Sequence, residues 1–142
     1  LYDLCAQRGL PIMYHCGPVG IEPKVGRYLS QVRHYRRGIE QCKGTTFVLG
    51  HSGALQRDEA IGLARRNENV YLELASQSVS GMRQILREAP TDRVLHGSDW
   101  PFYHQASALA KTLLATEGEP KQLRRKVLHD NAARLMGLPL AD

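Results

Sequence analysis

With 142 residues, 42% hydrophobic, 23% charged and 6% aromatic, the chain has the profile of one soluble globular domain, which excludes a disordered or fibrous protein. Nineteen Lys and Arg against 14 Asp and Glu give a net charge of +5, which favours anionic partners in general and falls short of a nucleic-acid signature. No apolar run reaches the ~18 residues of a membrane span and no secretory leader opens the chain, so a cytoplasmic protein with no membrane partner is expected.

In chain order, apolar residues at 1, 4 and 5 predict a helix over 1–8, and Gly9 stands where its left-handed cap belongs. The helix opens so near residue 1 that the chain reads as part of a longer one. Leu10-Pro11-Ile12-Met13-Tyr14-His15 predicts a buried strand ending at His15, with Pro11 tolerated only near its start. A Gly- and Pro-bearing loop runs over 16–24. Tyr28, Leu29, Val32, Tyr35 and Ile39 then recur at helical spacing, up to a Gly38 that weakens the end. Thr45-Thr46-Phe47-Val48-Leu49-Gly50-His51 predicts a second strand, again closed by a histidine.

The pattern continues with a helix capped by Asp58 and running to Arg66, then a strand over 70–75. Val79, Met82, Ile85 and Leu86 mark one face of a helix broken by Pro90, and Arg93-Val94-Leu95-His96-Gly97-Ser98-Asp99 predicts a fourth strand ending on an acid. Ala106, Leu109, Ala110 and Leu113 mark the next helix, Leu123, Val127 and Leu128 another, and residues 131–136 a last short one. The three cysteines, Cys5, Cys16 and Cys42, form no CxxC pair, so reduced and mostly buried thiols are expected.

Strand and helix alternate four times with no hairpin signal, which predicts one α/β domain over 1–142 built on a parallel sheet with helices outside it. A full (β/α)8 barrel takes about 250 residues, so four units amount to half of one. A flavodoxin-like open sheet competes, but it ordinarily places a Gly-rich phosphate loop or an acidic cluster after its first strand, and neither occurs. In either architecture the functional face lies at the carboxyl ends of the strands, where His15, His51 and Asp99 fall. A lone histidine at a strand end reads best as a packed one. Polar ligands at three of four strand ends read instead as a site for a divalent ion of the zinc type, since imidazole and carboxylate suit such a metal.

Four segments carry a resemblance: Leu10-Pro11-Ile12-Met13-Tyr14-His15-Cys16-Gly17, Phe47-Val48-Leu49-Gly50-His51-Ser52-Gly53, Asn69-Val70-Tyr71-Leu72-Glu73-Leu74-Ala75-Ser76, and Arg93-Val94-Leu95-His96-Gly97-Ser98-Asp99-Trp100-Pro101-Phe102. Together with Asn131-Ala132-Ala133-Arg134-Leu135-Met136-Gly137 near the end, the sequence resembles the amidohydrolase-related family of metal-dependent TIM-barrel hydrolases. That family includes enzymes like aminocarboxymuconate-semialdehyde decarboxylase. The resemblance implies that the strands are numbers five to eight, the C-terminal half of the barrel. It implies His15 as a metal ligand, His51 as a second ligand or a catalytic acid/base, and Asp99 as a carboxylate that contacts the metal and accepts a proton from water.

The function implied is hydrolysis of a small carboxylated or cyclic molecule through water activated by a divalent metal, with Zn2+ first in order. Decarboxylation by the same ligands is the alternative. The family's first strand carries a His-x-His pair, and this sequence holds none. Three explanations stay open: a longer natural protein, association of two copies into a homo-oligomer, or an inactive half barrel that acts through assembly.

Other residues carry lesser expectations. His96, three positions before Asp99, is expected to be packed on the opposite side, and Cys16 to point away from the site. His34, His104 and His129 are expected at the surface, with His104 able to reach a substrate from the Asp99 loop. Glu73 faces either the barrel interior or an ion-pair partner. Arg33, Arg36 and Arg37 read as a solvated helix face, and no nucleic-acid partner is expected.

Overall fold

Short apolar runs bounded by Gly and Pro form strands, and the amphipathic stretches between them form helices. The computed structural model describes residues 1–140. Helix α1 (Tyr2–Gln7) leads into β1 (Ile12–His15), followed by α2 (Lys24–Leu29), α3 (Arg33–Gln41) and β2 (Phe47–Gly50). A 3-10 segment (His51–Gln56) joins β2 to α4 (Arg57–Arg66), and β3 (Val70–Glu73), α5 (Val79–Glu88) and the two-residue β4 (Val94–Leu95) complete the sheet. Helices α6 (Gln105–Ala115), α7 (Lys121–Arg125) and α8 (Asn131–Leu135) close the chain, the last two joined by a wide π turn (Lys126–Asp130).

The sheet is four-stranded in the order β1-β2-β3-β4. Every pairing is parallel, with His15 beside Gly50 and Glu73 beside Leu95, so the carboxyl ends of neighbouring strands lie level. Alternation divides the strand residues between two faces. One face carries Phe47, Leu49, Val70, Leu72 and Val94, which pack with Ile39, Ile61, Met82 and Ile85 into the core under the helices. Each such side chain, fully buried, contributes about 1.5–3 kcal/mol. The other face carries Met13, His15, Val48, Glu73 and Leu95, which line an open cavity.

The helix expected through residues 28–39 is two helices. Its interior is claimed by neighbours: the Ser30 carbonyl accepts from Gly17 N at 2.6 Å, and Val32 N donates to Gln56 Oε1 at 3.0 Å. Gly38 does not end α3, which runs on to Gln41; a β-carbon there would make only ordinary contact, 3.4 Å, with the Tyr2 ring. The helix expected to start at a capping Asp58 begins at Arg57, with Asp58 in its first turn. β4 stops at Leu95, short of the expected Asp99, because His96 N donates to Val127 O in the π turn and leaves the ladder.

Candidate metal-ligating site

Five non-glycine residues of the described chain have left-handed backbone: His51, Ser52, Ala54, Ser76 and Asp99, with φ between 47° and 64°. Each such residue costs roughly 1–2 kcal/mol. All five fall just past the carboxyl ends of β2, β3 and β4, on one side of the sheet, and strain gathered in one place points to a function held there.

The strained backbone is held by hydrogen bonds from the end of β3. His51 N donates to Glu73 Oε2 at 3.0 Å, and Gln77 Nε2 donates to the His51 carbonyl at 2.6 Å. Ser52 Oγ donates to the Glu73 carbonyl at 2.7 Å. His51 Nδ1 lies 3.3 Å from the Ala75 carbonyl, which can only accept, so Nδ1 carries the proton and the Nε2 lone pair is the acceptor for His15 Nδ1–H. His51 Nε2 faces His15 Nδ1 at 3.1 Å, across two rings whose centroids are 4.8 Å apart.

Burial, then the neighbouring His51, keeps the His15 imidazole below the ordinary histidine pKa, against smaller opposing effects of Asp99 and Glu22. Its neutral form, the one that ligates metal, is favoured. Glu73 is pushed up by burial, against the N–H groups of His51 and Ala75 that favour its charge. Asp99 Oδ2 accepts from Ser76 Oγ at 3.3 Å.

His15, His51, Glu73 and Asp99 line one cavity of about 690 Å³, whose wall also includes Met13, Leu95, Trp100, Leu135 and Met136. Two nitrogens bound at ~2.0–2.1 Å to one tetrahedral ion lie roughly 3.3 Å apart. The observed 3.1 Å between His51 Nε2 and His15 Nδ1 is a hydrogen bond of nearly that length, so the pair matches two positions of a divalent ion once His15 presents Nδ1 without its proton. Asp99 stands outside the pair: among the described residues no three acid, imidazole or thiol side chains gather into a metal-binding group.

The amidohydrolase profile matches residues 1–138. The chain belongs to the amidohydrolase family. No curated protein matches the sequence of this amidohydrolase chain. Among solved structures it is similar to an uncharacterized TIM-barrel protein from Bordetella bronchiseptica, at 23% identity and TM-score 0.77, over 96% of this chain and 48% of that one. It is similar to a dihydroxybenzoic acid decarboxylase from Polaromonas sp. JS666 with bound manganese and the inhibitor 2-nitroresorcinol, at 16% identity and TM-score 0.73, over 99% and 53%. It is also similar to an amidohydrolase from Burkholderia multivorans with bound zinc, at 17% identity and TM-score 0.72, over 97% and 56%. The chain spans about half the length of these structures, and its parallel sheet with outer helices is half of an amidohydrolase TIM barrel.

The remaining sequence expectations divide. His96 is packed, its Nδ1 3.0 Å from Thr112 Oγ1, although its side also borders the cavity. Cys16 is fully buried in the core, and burial pushes its thiol up to about 12, which leaves no nucleophile there. His104 caps α6 by accepting from Ala106 N, and Arg36 pairs with Glu40 on an exposed face. Glu73 faces the interior, and among the described residues its carboxylate accepts only from backbone N–H groups. The sequence assigned no role to Ser76 or Gln77; their one signal is position, three and four residues past a strand whose last residue is an acid.

Proposed function

We propose that this chain carries metal-holding and proton-transferring groups of a divalent-metal-dependent amidohydrolase acting on a small carboxylated or cyclic molecule. The observation that carries the reading is the convergence of His51 Nε2 and His15 Nδ1 at 3.1 Å on adjacent strand ends. His15 and His51 would hold the ion, with Zn2+ favoured by two imidazoles. Bound there, the ion supplies positive charge that polarises a carbonyl and acidifies water.

The chain's own groups do the rest. The Ala75 carbonyl keeps the proton on His51 Nδ1 and so keeps Nε2 aimed into the cavity. Asp99, oriented by the Ser76 hydroxyl, takes the proton from the attacking water at its carboxylate. Trp100, Leu95 and Met136 give the substrate an apolar wall. The partner proposed for the cavity is a small molecule.

A second reading is decarboxylation, favoured by that same apolar wall, which suits a planar ring, and by the Polaromonas decarboxylase with its ring-shaped inhibitor. The two reactions separate by product: carbon dioxide in one, a new carboxylate or alcohol in the other.

Titration with Co2+, followed by the histidine ring signals in NMR, tests the shared premise. His15 and His51 should shift or broaden first, ahead of His34, His104 and His129, and His51→Ala should weaken the effect at His15. Equal changes at all six histidines, His96 included, would reject the site.

A further inference from the structure

Glu73 is 4% exposed at the end of β3, and no lysine or arginine pairs with it among the described residues. Both of its oxygens instead accept backbone N–H groups, Oε2 from His51 at 3.0 Å and Oε1 from Ala75 at 2.6 Å. These two residues are also joined to each other, through His51 Nδ1 and the Ala75 carbonyl. The carboxylate, the His51 backbone, the His51 ring and Ala75 thus form a closed loop of contacts with Glu73 at its origin.

The chemistry of position 73 is specific. A carboxylate is the only side chain of this length that accepts at both ends. A glutamine would turn an N–H donor toward one of the two backbone N–H groups, and a neutral apolar residue would leave both unpaired. The space is specific too, since a β-carbon on Gly97 would lie 1.7 Å from Glu73 Oε1. Gly97 leads directly toward Asp99, so the absence of a side chain there leaves room for the carboxylate between the two halves of the site. A buried acid with no cation partner is costly to keep unless its contacts are needed.

We propose that Glu73 is the positioning residue of this site: by holding the backbone N–H groups of His51 and Ala75 it fixes both the direction and the tautomer of the His51 imidazole. This rests on the reading of His51 as a ligand given above, and its test separates the two.

The test compares wild type, Glu73→Gln and Gly97→Ala. The glutamine alters the chemistry of the clamp, whereas the alanine displaces an unaltered carboxylate. In each, long-range 1H–15N NMR reads the tautomer of His51, Co2+ titration reads affinity, and circular dichroism reads the fold. Both variants should stay folded, with His51 passing from a single Nδ1–H tautomer to a mixture and Co2+ affinity falling about 10- to 100-fold. A single retained tautomer with affinity within twofold of wild type in both variants would overturn the proposal. So would unfolding of both, which would make the carboxylate a requirement of folding and not a positioning group. Failure of wild type to bind Co2+ would reject the ligand reading, while the tautomer shift would still decide the role of Glu73.

Discussion

Asp99 sits at φ 60°, a backbone conformation that aspartate and asparagine adopt more readily than other residues with a side chain. Asp99→Asn therefore preserves the turn and the hydrogen bond from Ser76 Oγ while removing charge and basicity. In a catalytically active preparation turnover should fall by roughly 10²- to 10⁴-fold, as for loss of a placed acid/base, with the melting temperature little changed. If Asp99 only shaped the turn, the variant would turn over within a few-fold of wild type. His96 supports a prediction of a different kind. Burial holds it below the ordinary histidine value of 6.5, so the unfolded chain binds its proton more readily than the folded one. Its contribution to stability is then complete above about pH 6.5 and is lost as pH falls through its lowered folded value. Urea unfolding from pH 7.5 to 5 should show a steeper acid loss for wild type than for His96→Asn, and parallel curves would refute that origin.

At the scale of single elements, capping and local contacts decide where helices begin and end. Ser78 Oγ accepts from Gly81 N at 3.1 Å and caps α5, the helix behind the strand end that supports His51. Ser78→Ala should cost about 1 kcal/mol by chemical denaturation, and Ser78→Asp should cost little, because both serine and aspartate cap well. Equal losses in the two would mean that the hydroxyl serves another purpose. β4 is so short that side chains secure it: buried Asn131 Nδ2 donates to the Val94 carbonyl at 2.7 Å and to the Thr91 carbonyl at 2.8 Å.

Such contacts also separate what was legible in the sequence from what was not. The strand end at His15, and the end of β2 at Gly50 just before His51, were visible because an apolar run meets a polar residue at a turn, a signal carried by adjacent residues. The break between α2 and α3 was not, since it depends on Gly17 and Gln56, which reach Ser30 and Val32 only after folding. The early end of β4 depends in the same way on Val127. The role of Glu73 was half legible: an acid within Val70-Tyr71-Leu72-Glu73-Leu74 demands a partner, but that the partners are backbone N–H groups of His51 and Ala75 is a fact of the third dimension.

Across the whole molecule, parallel in-register pairing levels the strand ends and thereby brings chemistry from distant parts of the sequence to one cavity. Residues 15 and 51 meet because β1 and β2 are neighbours, and the loop after β4 adds Asp99 to the same wall. The helix-side core supplies the rigidity on which the strained turns depend, while the opposite face of the sheet forms the wall of the cavity. The central claim, that His15 and His51 hold one divalent ion between them, is tested most directly by X-ray absorption of the protein loaded with one equivalent of Zn2+. The account predicts scattering from two imidazoles at about 2.0–2.1 Å, reduced to one in His15→Ala. A spectrum with no imidazole scattering, or one unchanged by that substitution, would contradict it.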